Sequence, residues 1–289
     1  MLRGFYTAAS GMIAQQRRTE MLTNNMANAN TPGFKADQSS MRAFPEMLLS
    51  RIENASIPTE KTLNLMTSNR LDTGKDGTGL NLGVYMQEAN PLFSQGDLQS
   101  TDRTTDLAIE DINMPMNQDT DRPGSVFFAV QDADGHPRYT RNGNFTIDAK
   151  GFLTTSNGLY VLNDQGKPIQ LDSDQFTINE NGQIAANGKS YGRIGIGYSD
   201  NPEMMNKQGD GLFYLDKNAA LPSAYDPKKA PNVDFQIKQG FIEGSNVDSS
   251  KTMTDLLTAY RAFEANQKVL QAYDKSMDKA VNEVGRVNG

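Results

Sequence analysis

The groups in this 289-residue chain best placed to do chemistry are acidic: Asp102, Asp106, Glu110 and Asp111, with His136 further along. Carboxylates this close in sequence could pass protons or hold a divalent cation. Their surroundings favour a plainer role. Asp102 and Asp106 lie in Ser100-Thr101-Asp102-Arg103-Thr104-Thr105-Asp106, a turn-like stretch in which Asp and Thr side chains bond the local backbone. Asp132-Ala133-Asp134-Gly135-His136 has half the pattern of a calcium loop but lacks the third acidic position and the distant Glu. It reads as a hairpin turn with His136 exposed at its tip. Gly192, Gly195 and Gly197 fall inside a strand-like run, where glycine marks a bulge or close packing and not a phosphate cradle. No nucleophile elbow or Walker loop is present, and no nucleophile has a base and an orienting group beside it. The reading is a non-enzymatic chain with no catalytic residues, no metal ligands and no cofactor.

Composition narrows the class further. There is no cysteine, which removes disulfides and thiolate sites, and His136 is the single histidine. The hydrophobic share of 37% and the mean hydropathy of −0.60 suit modest cores joined to solvated or partner-facing segments. The net charge of −7 is uneven: the first 51 residues carry +3 and the last 39 carry +1, leaving −11 between them. An acidic middle excludes a general nucleic-acid binder, since phosphate contacts need clustered Lys and Arg. No run approaches the ~20 apolar residues of a membrane span, so no membrane insertion is expected. Thr7, Ser10 and Gly11 interrupt the N-terminal apolar stretch, which therefore does not read as a cleavable signal.

The ends carry the strongest pattern. Counting by sevens from Phe5 gives Phe5, Ala8, Met12, Gln15, Thr19, Leu22, Met26 and Ala29, an apolar stripe weakened at its centre by Gln15 and Thr19. Asn24, Asn25, Asn28 and Asn30 then weaken the helix, and Thr31-Pro32-Gly33 stops it. A second series runs through Met253, Leu256, Tyr260, Phe263, Gln267, Leu270, Asp274, Met277, Val281 and Val284. Its start is signalled by the N-cap residues of Ser245–Ser250, with Thr252 and Asp255 at capping-box spacing. Two matching stripes at opposite ends predict helices that pair with each other and with neighbours. The expected assembly interface is Phe5, Ala8, Met12, Leu22, Met26, Met253, Leu256, Tyr260, Phe263, Leu270, Met277, Val281 and Val284. Seams this polar should be marginal alone and gain their order when a partner buries them.

Between the ends, X-Gly signals at Asp134-Gly135, Asn142-Gly143, Lys150-Gly151, Asn157-Gly158, Gln165-Gly166, Asn181-Gly182 and Asn187-Gly188 punctuate short β runs. Those runs are Val126–Val130, Arg138–Thr140, Phe145–Ile147, Gly158–Leu162 and Arg193–Tyr198. The fold class expected is α+β: long N- and C-terminal amphipathic helices of coiled-coil type flanking a mainly antiparallel β domain. The expected division is an N-terminal helix over 1–33, an extended connector over 34–95, a β-rich outer domain over 96–240, and a C-terminal helix over 241–289 that pairs with the first.

Several blocks carry a resemblance. They are Tyr6-Thr7-Ala8-Ala9-Ser10-Gly11-Met12, the run Asn24 to Lys35, Gly96-Asp97-Leu98, Thr105-Asp106-Leu107-Ala108-Ile109, Phe127-Phe128, Tyr139-Thr140-Arg141-Asn142-Gly143-Asn144-Phe145, Gln239 to Asp248, and Tyr260 to Lys268. In this order they resemble the bacterial flagellar rod and hook protein family, and within it the distal-rod group of Gram-positive bacteria. The resemblance implies an uncleaved chain exported by the flagellar type III apparatus to the basal-body rod, outside the cytoplasmic membrane. It implies a helical homopolymer that meets other rod and hook proteins and transmits torque, with the terminal helices inside and the β domain outside. Hook or proximal-rod identity is the nearer alternative; a β-rich surface-binding module or a cell-wall hydrolase is the more distant one. One departure stands out: a longer loop over 110–125, with Pro115 and Pro123, where relatives have a short turn.

Overall fold

The structure, a computed structural model, describes residues 2–43, 83–118, 120–173, 175–216 and 219–284. The middle of the expected connector, 44–82, lies outside the described residues. The chain divides into two compact units: Met1–Thr23 with Ser39–Ala89 and Ser250–Gly289, and Asn24–Gln38 with Asn90–Ser249.

Helix α1 spans Leu2–Ala27 and helix α2 spans Ser249–Lys279, which passes into a π-helical turn over Ala280–Val284. The α1 stop falls where the asparagines and Thr31-Pro32-Gly33 place it. The α2 start does not use the Thr252/Asp255 capping box: Asp248 holds the N-cap position, and Thr252 is buried inside the helix. Ahead of α2, Phe241–Glu243 is a strand paired with Leu98–Ser100, so the segment from 241 is not all helix.

In the first unit the two helices run antiparallel. A Cβ at Gly4 would overlap the Tyr273 hydroxyl, one at Gly11 would lie 3.0 Å from Asn266 Nδ2, and Arg18 Nη2 is 3.7 Å from Asp255 Oδ1. As numbers rise along α1 they fall along α2. Glycines at an interval of seven give α1 notches that admit the larger side chains of α2. A short ribbon, Met41–Ala43 with Val84–Met86, completes the described part of this unit, and Gln15 Nε2 reaches Met41 Sδ at 3.7 Å.

The second unit is built from antiparallel strands. Among the described residues its largest sheet has eight strands, with Ser125–Gln131 at the centre pairing with Pro137–Thr140, Tyr160–Val161 and Ile196–Ser199. That central strand is buried on both faces, which explains its unbroken apolar sequence. Val126, Phe128 and Val130 enter the main core with Leu107, Phe145, Leu153 and Ile194. Phe127 faces a second cluster with Phe93, Tyr139, Met205 and Phe213.

Six of the seven X-Gly signals take a left-handed glycine, at Gly135, Gly151, Gly158, Gly166, Gly182 and Gly188. The Asp132–His136 turn closes as a hairpin, with Asp132 N donating to His136 O at 2.9 Å. Gly143 differs. Its carbonyl accepts from Leu107 N at 3.0 Å, and a Cβ there would overlap Leu107 O, so this glycine permits close packing of two backbones. The expected strand Arg193–Tyr198 also divides: Lys189–Arg193 belongs to a three-stranded sheet and Ile196–Ser199 to the eight-stranded one. The break falls at Gly195, where a Cβ would lie 2.6 Å from Asn163 O.

Gly143→Ala should therefore lower the unfolding free energy by about 3 kcal/mol, the overpacking cost where backbone cannot yield. Gly166→Ala, with open space around it, should cost only the left-handed strain of ~1 to 2 kcal/mol. Urea unfolding followed by circular dichroism measures both, and equal losses would contradict this account.

Candidate assembly interface and its buried charge cluster

The expected interface residues separate into two sets. On α1, Ala8 and Leu22 are buried and Phe5, Met12 and Met26 are half-buried. On α2, Leu256, Phe263, Leu270 and Met277 are half-buried, but Met253, Tyr260 and Val281 are 47%, 51% and 73% exposed. The side chain of Val284 lies outside the described residues. The buried face of α2 instead carries Thr252, Ala259, Asn266 and Tyr273, each one residue before the expected position. One residue turns a helix by about 100°, enough to exchange flank for seam. Small Thr252 and Ala259 are favoured inside because they let the helix come close, a preference that apolarity alone does not reveal. Tyr6 and Ile13 on α1, and Leu257 on α2, are exposed as well, at 64%, 51% and 46%. The first unit thus keeps apolar side chains that the pairing of α1 with α2 does not cover.

The acidic residues of 102–111 do not form a site. Asp102 is exposed with a left-handed φ of 57°, Glu110 pairs with Lys238 at 2.9 Å, and buried Asp106 lies 3.9 Å from Arg103 Nε. His136 is exposed at its hairpin tip. Among the described residues no three His, Cys, Asp or Glu side chains could hold a metal ion together.

Asp111 has a different role, in a cluster the sequence reading missed. In the second unit Lys35, Arg141 and Glu243 are each about 1% exposed, and all three are charged. Glu243 Oε1 accepts from Lys35 Nζ at 2.6 Å and from Gly96 N at 2.9 Å, while Oε2 accepts from Arg141 Nε at 2.8 Å. The far side of the guanidinium grips Asp111 in a fork, Nη1 to Oδ1 at 3.0 Å and Nη2 to Oδ2 at 3.1 Å. Arg141 Nη1 also donates to Val126 O at 2.8 Å, and Lys35 Nζ to Ser94 O at 2.8 Å. Two cations meet two anions, and nearly every donor is used.

Backbone bonds extend the cluster. Gly33 N donates to Glu243 O at 2.8 Å, Ala36 N to Asn246 Oδ1 at 2.7 Å, and Asn246 Nδ2 to Leu92 O at 2.7 Å. Gly33, with φ of 68°, lies so close to Arg141 and Asn142 that any Cβ would strike their backbone. Asn25, buried at the end of α1, exchanges two 2.9 Å bonds with the backbone of Asp37. In the sequence it reads only as a weak helix former. The one signal available in sequence was charge: Lys35, Arg141 and Glu243 are ionic residues set among small and aromatic ones in three separate blocks.

Electrostatics follow from this geometry. Burial pushes the Glu243 carboxyl up, but Arg141 and Lys35 outweigh it and hold the pKa below the ordinary 4.5. Burial also disfavours the Arg141 cation, and Glu243 and Asp111 more than offset that. Lys35 is held at a cost: burial, then Arg141, brings its pKa from 10.5 to about 8 against the opposing pull of Glu243 and Asp111.

Because Glu243 ionises more readily when folded, its stabilisation is complete above pH 4.5 and is lost as the pH falls through its lowered value. Glu243→Gln should cost ~3 to 5 kcal/mol at pH 7, the penalty for breaking a buried pair. The gap between wild type and variant should narrow in acid; a constant gap down to pH 3 would contradict it. Lys35 acts in the opposite sense, adding stability as pH rises from about 8 towards 10.5, a rise that Lys35→Met should abolish.

Comparison with known proteins covers the same blocks. Residues 5–35 match the family described as flagella basal body rod protein, 123–186 the flagellar hook protein FlgE/F/G D1 domain, and 238–283 the flagellar basal body rod FlgEFG protein C-terminal region. The chain is 47% identical to the flagellar hook-basal body complex protein FlhO of Bacillus subtilis, over 99% of this chain and 100% of that one. It is 31% identical to the flagellar basal-body rod protein FlgG of the same organism, over 98% and 99%. It is also 31% identical to the rod protein FlgF of Caulobacter vibrioides, over the full length of both. Lys35 and Glu243, the two ends of the shortest bond in the charge cluster, fall within the first and last matched regions, and the chain belongs to the flagellar basal-body rod protein family.

Proposed function

We propose that this chain is a structural subunit of the flagellar rod, in its distal part, polymerising into a helical tube that carries torque from motor to hook. Full-length likeness to the FlhO, FlgG and FlgF proteins supports the reading. The single observation that carries it is the uncovered apolar surface of the paired helices. Tyr6 and Ile13 recur at an interval of seven on α1, as do Met253 and Tyr260 on α2, with Leu257 between the latter two. That interval is the one at which a further helix packs. Phe5, Ala8, Met12, Leu22, Leu256, Phe263, Leu270 and Met277 then hold the pair within one subunit, while Met253, Tyr260 and Val281 meet neighbours in a coiled-coil-like inner layer. A rotation that does not close makes such contacts propagate as a helix and not a ring.

Its partners are copies of itself, other rod and hook proteins at the two ends of its segment, and the flagellar type III export apparatus, which passes it uncleaved beyond the cytoplasmic membrane. No cofactor takes part.

Tyr260→Asp, on the outward face, should abolish incorporation into basal bodies and motility while leaving the circular dichroism of the purified chain unchanged. Phe263→Asp and Leu270→Asp, on the inward face, should abolish incorporation and also lower helix content. Normal motility in the Tyr260 variant would defeat the outward-face assignment, and normal motility in all three would defeat the structural role.

A further inference from the structure

The charge cluster of the second unit draws on stretches far apart in the chain. Lys35 and Glu243 are separated by 208 positions, and Arg141 and Glu243 by 102. The core beside them does not need the chain ends: Ser125–Gln131, Pro137–Thr140, Phe145–Ile147, Leu153–Thr155 and Tyr160–Val161 lie within 37 residues and pair with one another.

The segment from Gly33 to Asp37 is in a different position. Gly33 N and Ala36 N donate to Glu243 O and Asn246 Oδ1, and Asn246 N donates to Phe34 O at 3.3 Å. The stretch it lies against is tied to the same residue, since Asn246 Nδ2 donates to Leu92 O and to Ser94 O and Oγ. Without Glu243, Lys35 and Arg141 would face Asp111 alone, two cations against one anion where both are about 1% exposed. Uncompensated burial of that kind is strongly unfavourable.

We propose that the cluster is a closure lock: the Gly33–Asp37 segment docks on the β unit only together with Phe241–Asn246, in a single late step gated by charge balance at Glu243. Until the last part of the chain is in place, the segment following α1 stays undocked even though the β core has formed. A chain made from its N-terminus onwards therefore cannot fix that segment before its C-terminal portion is available.

Pulse-labelling hydrogen exchange during refolding of the full-length protein tests the order directly. The amides of Gly33 and Ala36 should gain protection together with those of Gly244 and Asn246, after those of Phe128 and Val130. Protection of Gly33 and Ala36 alongside the core, ahead of Gly244, would overturn the proposal. Charge balance is tested in the native state. Glu243→Gln should speed exchange at Gly33 and Ala36 at least tenfold with Phe128 and Val130 unchanged. The double variant Lys35→Met/Glu243→Gln, which leaves Arg141 facing Asp111, should return both amides towards wild type. A double variant no better protected than the single one would show that shape and not charge governs docking, and the lock would be rejected. Should Glu243→Gln fail to fold, folding of the balanced double variant supports the proposal and its failure to fold overturns it.

Discussion

The second unit depends on one carboxylate. Glu243 has both oxygens engaged, by Lys35, Gly96 and Arg141, and its own carbonyl accepts from Gly33. Removing a charge from water is costly, and an apolar cluster of the same size could be more stable. What the ions add is uniqueness. An apolar contact tolerates a shift of an ångström, whereas the forked Arg141–Asp111 pair and the two oxygens of Glu243 are satisfied in one arrangement only. The segment after α1, the segment before α2 and the strand Leu107–Asn113 are thereby fixed in one register. The left-handed Gly33, pressed on the backbone of Arg141 and Asn142, admits no other path for the chain.

The helices of the first unit follow the opposite logic. Their seam mixes apolar Phe5, Leu22, Phe263 and Leu270 with Gln15, Thr19 and Asn266, and Tyr273 and Asn266 fit against Gly4 and Gly11. Each polar residue in a seam reduces the apolar area it can bury and so the free energy it contributes. Isolated helices gain most of their stability from packing, so a thin seam leaves them dependent on whatever else covers them. Both helices are formed in the single chain because each supplies the other with a partner. The apolar side chains left outside show that this partnership does not use all of their packing capacity.

Much of this was legible in the sequence. Helix ends followed from the asparagines, Thr31-Pro32-Gly33 and the cap residues before Ser249, because those signals act through local backbone geometry. Six glycine turns followed from the same kind of signal. What escaped was set by tertiary contact. Gly143 looks like a turn glycine, but its role is defined by Leu107, 36 positions away. One of the two inward rows of α2 lies one residue earlier than expected, because a count of apolar positions favours Met253 and Tyr260 over Thr252 and Ala259, while the row of Leu256, Phe263, Leu270 and Met277 lies where expected. Close helix approach rewards the smaller residues. The charge cluster was hidden for a related reason: a Lys, an Arg and a Glu in separate blocks read as solvated until the fold brings them together. Among the four acidic residues first considered for chemistry, only Asp111 joins it, as a structural counter-ion.

The two designs answer different physical demands on one chain. The proposed role as a polymer subunit needs a body whose shape does not vary, since any error in the angle between neighbours accumulates along the assembly. Ion pairs with fixed geometry and close-packed glycines provide such a body, at an energetic cost that its apolar core must offset. It also needs contact surfaces that remain soluble before assembly and adjust slightly to neighbours that are not all identical. Met253 on the outward face of α2 suits that purpose, because an unbranched thioether side chain fills irregular gaps without a single preferred fit. Rigidity where geometry must be copied and tolerance where partners differ together account for the contrast between the two units.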